Sequence, residues 1–236
     1  MKPSVEEFYD EHAKALNLFA LAFRDAISFS YQLCGNLEGK KLLEIGGGTG
    51  EQAAYFASQK ALVTIIDISK ESLSAAQHLF QRRGVSAQWQ QMDAEHLSFD
   101  DASFDVIYIN SVLMHVNAER VVKECSRILK RDGKLVIIEP LRYAPFVQLY
   151  RLFSPYWKMN PQYATLKMFK EWKKYFSTYH HKEFYFFSSL FLPIFYFKSA
   201  LLQRCYSFIS KGDALLIRAF PFLRKGCWVS VIEYRK

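Results

Sequence analysis

A short apolar segment that runs directly into a glycine loop is the feature that most constrains this chain. Residues 41–45 are Lys-Leu-Leu-Glu-Ile, and residues 46–50 are Gly-Gly-Gly-Thr-Gly. The apolar run predicts a buried β-strand, and the glycines predict a βα turn whose bare backbone accepts a nucleotide-like ligand. The spacing Gly46-x-Gly48-x-Gly50 is tighter than the dinucleotide-binding pattern, and no Lys-Ser or Lys-Thr pair follows it. The sequence therefore disfavours both a dinucleotide site and a P-loop.

Strand-like and helix-like segments alternate through the first 140 residues, which predicts a parallel sheet with crossover helices. Ser69 offers a capping oxygen to the second predicted helix, and Gly84 is a typical residue to end it. A turn is predicted at residues 131–133. The predicted strands cover residues 41–45, 62–66, 86–91, 104–109 and 134–139. The predicted helices cover residues 51–59, 70–83 and about 118–130.

Taken with these elements, the segment Glu44-Ile45-Gly46-Gly47-Gly48-Thr49-Gly50 resembles the glycine motif of the class I methyltransferases that use S-adenosyl-L-methionine. An acid two residues before the first glycine suits a ligand with a cationic centre better than a diphosphate. The resemblance implies an α/β fold with a Rossmann-like seven-stranded sheet, parallel with one antiparallel strand. It also implies a single domain with an N-terminal helical cap over residues 1–39 and a cofactor-binding core over residues 40–140. Residues 141–236 would hold the last two strands and a substrate cap, with a helical insert before the last strand.

The resemblance gives roles to polar residues at the ends of the predicted strands, where open α/β sheets bind their ligands. Asp67 would accept both ribose hydroxyls, although it could also be a simple helix-capping residue. Asp93 and Ala94 would hold the adenine, or form an ordinary polar loop. Asn110 would face the methionine part, and Glu44 would order the glycine loop or meet the cofactor's amino group. The predicted cofactor-binding residues are Glu44, Gly46, Gly47, Gly48, Gly50, Asp67, Ile68, Asp93, Ala94 and Asn110.

His115 is the candidate catalytic residue. It lies in a segment after the fourth strand where the family often carries two adjacent histidines, and Met114 stands at the first of these positions. A histidine near the reacting centre could accept the proton of a nucleophile, because its usual pKa is close to neutral pH. The alternative is a histidine that packs the loop over the cofactor. We favour this packing role, since a single motif residue is a weak signal.

Charge divides the chain sharply after residue 140. Residues 1–140 hold 15 Lys and Arg against 19 Asp and Glu, whereas residues 141–236 hold 16 against 4. Most of the aromatic residues also lie in the second segment. A change of composition this abrupt predicts a region with a different partner, which we take to be the substrate cap. A basic, aromatic cap suits a small-molecule substrate that is apolar or anionic.

The substrate cap is predicted to contain a helix at residues 165–176, a strand at residues 182–188 and an antiparallel last strand at residues 227–234. The insert at residues 189–226 has three interpretations: a lid over the substrate, a basic segment lying on a membrane surface, or additional core helices. The uncharged run at residues 184–197 is too short to span a bilayer, which needs about 20 apolar residues. We favour the lid.

At the other end, residues 5–34 have apolar residues at helical spacing, and Tyr9 and His12 are candidates to reach the substrate. The four cysteines are widely spaced, so neither a metal site nor a disulfide framework is predicted. Residues 1–7 lack the apolar core of a signal peptide. We therefore expect a cytoplasmic protein, or one at the inner membrane face if the insert contacts lipid.

These features predict an S-adenosyl-L-methionine-dependent methyltransferase that acts on oxygen or nitrogen of a small molecule. The first alternative is methylation of a lipid, quinone or lipid-linked sugar at the membrane surface. The basic half also raises RNA methylation, but residues 110–113 are Asn-Ser-Val-Leu and resemble no acceptor motif of such enzymes, so no nucleic-acid partner is expected. A non-enzymatic binding protein is disfavoured by the intact glycine loop and Asp67. The oligomeric state is not predicted.

Overall fold

The computed structural model describes residues 23–153, 161–191 and 200–236. Seven strands form one sheet in the order β3-β2-β1-β4-β5-β7-β6. The strands are β1 (Lys41–Ile45), β2 (Leu62–Asp67), β3 (Gln88–Gln91), β4 (Phe104–Asn110), β5 (Leu129–Pro140), β6 (Thr178–Phe184) and β7 (Val229–Arg235). The helices are α1 (Arg24–Cys34), α2 (Glu51–Ser58), α3 (Lys70–Arg83), α4 (Ala118–Ile128), α5 (Pro145–Phe153), α6 (Leu166–Trp172) and α7 (Ala200–Ala219).

Strand directions confirm the predicted Rossmann-like sheet. Strands β1 to β5 run parallel to one another, and β7 is antiparallel to both β5 and β6. The carboxyl ends of β1 to β5 therefore meet at one edge of the sheet. Strand order reverses between β1 and β4, which is where ligands of open α/β sheets bind. The predicted helical insert before the last strand is also present, because α7 lies between β6 and β7.

Two apolar clusters cover the two faces of the sheet. Consecutive residues of a strand point to opposite faces, so Leu42 belongs to one cluster and Leu43 to the other. Helices α1, α2 and α3 supply the first cluster, whereas α4 and α6 supply the second. Both leucines are fully buried. This two-sided burial explains why the central strands are nearly continuous apolar runs.

The sixth strand lies four residues before the position predicted from the sequence. We expected residues 182–188, whereas the structure has β6 at Thr178–Phe184. Tyr185 ends the strand because its φ is +65°, a left-handed conformation that cannot continue the ladder. Its buried hydroxyl accepts hydrogen bonds from the backbone N–H groups of Asp25 and Ala26, at 3.1 and 3.0 Å. Tyr185 is therefore a tertiary anchor for α1 and does not extend the strand.

Strand β5 begins earlier than expected. The sequence predicted a turn at residues 131–133 and a strand from residue 134, but β5 starts at Leu129. The turn survives as an irregularity inside the strand: Asp132 has φ of +63°, and the pairing with β4 shifts register after Phe104. The predicted helix at residues 165–176 also divides, into α6 and a short 3₁₀ segment.

Of the helices predicted over residues 5–34, only α1 falls within the described residues. Its buried side chains are Ala26, Ser30 and Cys34, and the Ser30 hydroxyl lies 2.9 Å from that of Tyr108 on β4. Helix α1 therefore packs directly over the strand next to the switch point. Among the described residues, no helix is long and apolar enough to cross a membrane.

Candidate functional site

The glycine loop connects β1 to α2 at the carboxyl edge of the sheet. Gly46, Gly48 and Gly50 all have positive φ values, of 68°, 50° and 80°. A Cβ on Gly46 would collide with the Val112 side chain, and one on Gly50 would lie 2.7 Å from the Cβ of Ala76. At Gly48, by contrast, no heavy atom lies within 4 Å of where a Cβ would stand. The loop is thus packed closely against the protein on one side and open at Gly48.

Asp67 lies at the end of β2, beside this open position. Its carboxylate accepts a hydrogen bond from the Gly48 N–H at 2.8 Å and another from the Ser69 N–H at 2.9 Å. Ser69 in turn caps α3 by accepting from the Ser72 N–H. Asp67 is only partly buried, and a carboxylate has about four lone-pair sites. It therefore ties the glycine loop to β2 at the open side of Gly48.

Glu44 lies beneath the glycine loop and is almost completely buried, with 2% of its surface exposed. Its Oε2 lacks a hydrogen-bond partner among the described residues, although the carboxyl also receives the backbone N–H of Ala53. Burial raises the pKa of Glu44 to about 8; the Ala53 N–H opposes this, and the nearby Asp67 adds to it. A buried acid with an unpaired oxygen is costly unless a positive group meets it. Glu44 is therefore protonated near neutral pH, and a positive group brought next to it would favour its ionised form.

The ends of β3 and β2 are joined. The Met92 N–H donates to the Asp67 carbonyl oxygen at 3.0 Å, which brings residues 92–94 beside Asp67. Asp93 accepts from the Glu95 N–H and contacts His96, both at 2.9 Å, and these interactions lower its pKa, the Glu95 N–H most strongly. The Asp93 carboxylate therefore stabilises the turn formed by residues 93–96. Its adenine-binding role stays a prediction.

Two apolar residues at the same edge were predicted to contact the cofactor. Ala94 is buried, whereas Ile68 is 45% exposed despite its size. An exposed isoleucine directly after Asp67 provides an apolar surface at the place where the adenine ring was expected. This arrangement is compatible with the predicted contacts of Ala94 and Ile68 with the cofactor, which stay predictions.

Asn110 ends β4, next to the glycine loop. The Ser111 hydroxyl donates to the Asn110 side-chain oxygen at 3.1 Å, and Ser111 has φ of +59°, so the chain turns sharply here. The Ser111 N–H is held by the Ile138 carbonyl oxygen at 2.8 Å. Asn110 is partly exposed at the switch point between β1 and β4, as its predicted role requires.

Glu139 belongs to the site and was missed by the sequence analysis. It is fully buried at the end of β5, and its Oε1 accepts from the N–H groups of Val112 and Leu113 at 2.8 and 2.7 Å. Burial raises its pKa to about 8, opposed by these N–H groups. Because Val112 packs on Gly46, Glu139 fixes the segment after β4 against the glycine loop. The sequence signal that could have revealed Glu139 is the one that marks Glu44, namely an acidic residue next to the last residue of an apolar strand.

His115 ends a short 3₁₀ helix, Leu113–His115, in the segment that Glu139 holds. Burial lowers its pKa to about 4, so its imidazole is neutral at physiological pH and a weak proton acceptor. The carbonyl oxygen of the neighbouring Met114 accepts from the Gln162 N–H at 2.7 Å. The surroundings of His115 therefore favour a packing role over the predicted role of a base.

The structure does not test the two residues predicted to contact the substrate. Tyr9 and His12, the candidates for substrate contact, lie outside the described residues. Within residues 23–153, 161–191 and 200–236, no group of three or more His, Cys, Asp or Glu side chains is arranged to hold a metal ion. A cavity of about 520 Å³ lies at the opposite, amino edge of the sheet and contains none of the predicted cofactor residues.

Comparison with known proteins agrees with this site. Residues 43–137 match the sequence profile of the family described as "Methyltransferase domain". The matched segment begins in β1 and ends in β5, so it contains the glycine loop and nearly all of the strand ends described above. Over this segment, which is less than half of the chain, the sequence is therefore similar to methyltransferase domains.

Curated relatives match slightly more than half of the chain. The ubiquinone/menaquinone biosynthesis C-methyltransferase UbiE of Haemophilus ducreyi is 31% identical over 53% of this chain and 52% of its own length. The uncharacterized methyltransferase YcgJ of Bacillus subtilis is 30% identical over 58% of this chain and 55% of its own length. The chain thus spans about half the length of the curated relatives it matches.

Solved structures share the fold over a longer stretch. The crystal structure of YcgJ has a TM-score of 0.64 and 20% identity, covering 90% of this chain and 98% of that protein. Phosphoethanolamine N-methyltransferase 2 of Haemonchus contortus, solved in complex with S-adenosyl-L-methionine, has a TM-score of 0.63 and 17% identity. It covers 90% of this chain and 52% of that one. At these identities the likeness concerns the fold.

Proposed function

We propose that this protein transfers the methyl group of S-adenosyl-L-methionine to a small-molecule acceptor. The observation that carries the proposal is the buried Glu44 carboxyl beneath the glycine loop. Its Oε2 has no hydrogen-bond partner among the described residues, and the cofactor's methionine part carries an ammonium and a sulfonium group, either of which would stabilise the ionised carboxylate. The open side of Gly48 leaves room for that ligand next to Asp67. These residues therefore fit the cofactor that the fold implies.

Each residue then has a defined task in binding. Asp67 accepts the ribose hydroxyls at the open side of Gly48, through charge-assisted hydrogen bonds. Asp93 and Ala94 border the adenine, and Ile68 supplies an apolar surface to its ring. Glu44 faces the ammonium group. Asn110 borders the methionine part.

The cofactor supplies an electrophilic methyl group on sulfur, which an acceptor attacks in line. The chain's contribution is to hold donor and acceptor collinear and to exclude water, which together lower the barrier without a covalent intermediate. Glu139 keeps the segment from Val112 to His115 in place beside the donor. Because the pKa of His115 is lowered to about 4, we assign it to loop packing, and the acceptor must be nucleophilic without its help.

The acceptor binds to the second half of the chain, residues 141–236, which is basic and rich in aromatic residues. This composition supports an apolar or anionic small molecule methylated at oxygen or nitrogen. The relatives named for ubiquinone and menaquinone biosynthesis favour the alternative of a quinone or lipid, methylated at carbon as their name states. The cofactor site would be the same for both acceptors. They differ in their source, which is the water-soluble metabolites for one and the lipid phase for the other.

Methyl transfer from a deuterium-labelled cofactor tests the proposal. The purified protein is incubated with the trideuteromethyl cofactor and with two fractions, water-soluble metabolites and a total lipid extract, and products are detected by mass spectrometry. We expect a product heavier by the labelled methyl group in one fraction, absent in an Asp67→Ala control that melts as a folded protein. Cofactor binding without a labelled product in either fraction would contradict the enzymatic assignment.

A further inference from the structure

Helix α7 has a buried face that fixes it firmly to the domain. Tyr206, Ser210, Asp213 and Ile217 are buried and recur every three or four residues, so they form one helical stripe. The Asp213 carboxylate accepts from the N–H groups of residues 187 and 188, at 2.9 and 2.7 Å. The Ser210 hydroxyl donates to the Asp25 carboxylate of α1 at 2.6 Å. The orientation of α7 is therefore set by hydrogen bonds to two other segments.

The opposite face of α7 exposes large apolar side chains. Phe208 is 80% exposed and Leu215 is 70% exposed, and seven residues separate them, so they lie on the same side of the helix. Gly212 lies between them. Phe222, 72% exposed, follows in the 3₁₀ segment Pro221–Gly226. We call Phe208, Leu215 and Phe222 the α7 ridge.

Basic residues border the α7 ridge. Lys211 and Arg218 are exposed on the same flank of the helix, three residues after Phe208 and Leu215 respectively. Arg224 and Lys225 follow in the 3₁₀ segment, and Arg224 lies 3.8 Å from the buried Glu183 carboxylate. Asp213 is the single acidic residue in the sequence from 200 to 226, and it is buried on the other face. The exposed charged residues described between residues 205 and 226 are therefore all positive.

We propose that the α7 ridge docks this protein onto an anionic membrane surface. Apolar side chains on one helix face, bordered by lysine and arginine, are the arrangement with which helices lie in the lipid headgroup region. Anionic headgroups attract the basic flank, while the phenylalanine and leucine side chains enter the acyl boundary. This surface role goes beyond methyl transfer, and none of the ridge residues is among those assigned to the cofactor.

A second copy of the chain fits the same ridge less well. A two-fold contact through the ridge would bring the Lys211 and Arg218 flanks of both copies together with no acid between them. The other alternative occupant of the ridge is a segment of this chain outside the described residues, which would shield the ridge from water. Vesicle binding and thermal melts separate these rivals from the membrane.

The test is co-sedimentation of the full chain with phosphatidylglycerol-containing vesicles and with pure phosphatidylcholine vesicles. We expect binding to the anionic vesicles that weakens as salt is raised, because the basic flank is screened. The double variant Phe208→Ser/Leu215→Ser should lower partitioning at least about tenfold. The matched control Leu62→Ser removes a leucine that is 58% exposed at the amino edge of the sheet, and it should bind like the wild type.

A charge variant completes the design. Lys211→Gln/Arg218→Gln should also weaken binding, whereas Lys70→Gln/Arg82→Gln, with the same change of net charge on α3, should have little effect. All variants should melt within a few degrees of the wild type, since the altered side chains are exposed. Equal binding to both vesicle types, or unaltered binding of the ridge variant, would overturn the proposal. A large fall in melting temperature or a change in oligomeric state on altering the ridge would also overturn it, because protein would then cover this surface.

Discussion

Adding one methyl group at Gly48 is predicted to block the cofactor while leaving the fold intact. Gly48 has φ of +50° and no heavy atom within 4 Å of where a Cβ would stand. Gly84, which ends α3 away from the site, has φ of +63° and is equally open. The variants Gly48→Ala and Gly84→Ala therefore impose the same backbone strain, and only the first places a methyl group beside Asp67.

The expected loss of stability is equal for the two variants. A left-handed conformation costs a residue with a Cβ about 1–2 kcal/mol. For a chain of this size, each kcal/mol lowers the melting temperature by about 2–4 °C. Both variants should therefore melt several degrees below the wild type and by similar amounts, since neither methyl group meets a neighbouring atom.

Cofactor affinity should separate the two variants. The methyl group of Gly48→Ala occupies space that the bound ligand needs, so we expect its Kd for S-adenosyl-L-methionine to rise at least tenfold, which corresponds to about 1.4 kcal/mol. Gly84→Ala should bind like the wild type. Isothermal titration calorimetry measures both values. If Gly48→Ala bound as tightly as Gly84→Ala, the open side of the glycine loop would not be the ligand's position and the site as described would be wrong.

Three further predictions concern the carboxylates. Asp67→Ala should weaken cofactor binding by about 2–3 kcal/mol, because charge-assisted hydrogen bonds to the ribose are lost; unchanged affinity in calorimetry of a folded variant would remove Asp67 from the site. Glu139→Ala should lower the melting temperature more than Glu139→Gln, since only the first leaves the Val112 and Leu113 N–H groups buried without an acceptor; equal melting of the two would refute that role. Burial raises the pKa of Glu44 and Glu139 to about 8, above the value of about 4.3 in an unfolded chain, so the folded state binds more protons. Their contribution to stability is therefore complete below about pH 4.3 and is lost as pH rises towards 8, and a Glu44→Gln variant should show a flatter pH profile in thermal melts than the wild type.

The central sheet was predictable because its signals are local. Apolar, β-branched runs such as Leu62–Asp67 mark strands buried on both faces, and the structure has β1 and α3 at the predicted bounds. Ser69 and Gly84 cap α3 as expected, by accepting the Ser72 N–H and by adopting a left-handed conformation. The glycine loop needs no distant residue to be recognised.

The parts that the sequence did not reveal depend on distant contacts. Tyr185 ends β6 because its hydroxyl anchors α1, whose Asp25 is 160 positions earlier. Glu139 looks like a polar end to an apolar strand until the chain brings it to Val112, 27 positions away. The exposed ridge of α7 could not be inferred either, because composition does not tell which aromatic residues are buried.

Calorimetric titration of the purified protein with S-adenosyl-L-methionine shows whether the glycine loop and Glu44 form a cofactor site. We expect one molecule to bind per chain. We also expect binding to release a proton near pH 7, because the cofactor's cationic groups draw the protonated Glu44 into its ionised form. The release is measured as a dependence of the heat on the buffer's ionisation enthalpy, and it should disappear in Glu44→Gln. Absence of binding at millimolar cofactor, or binding with the same proton release in Glu44→Gln, would contradict the assignment.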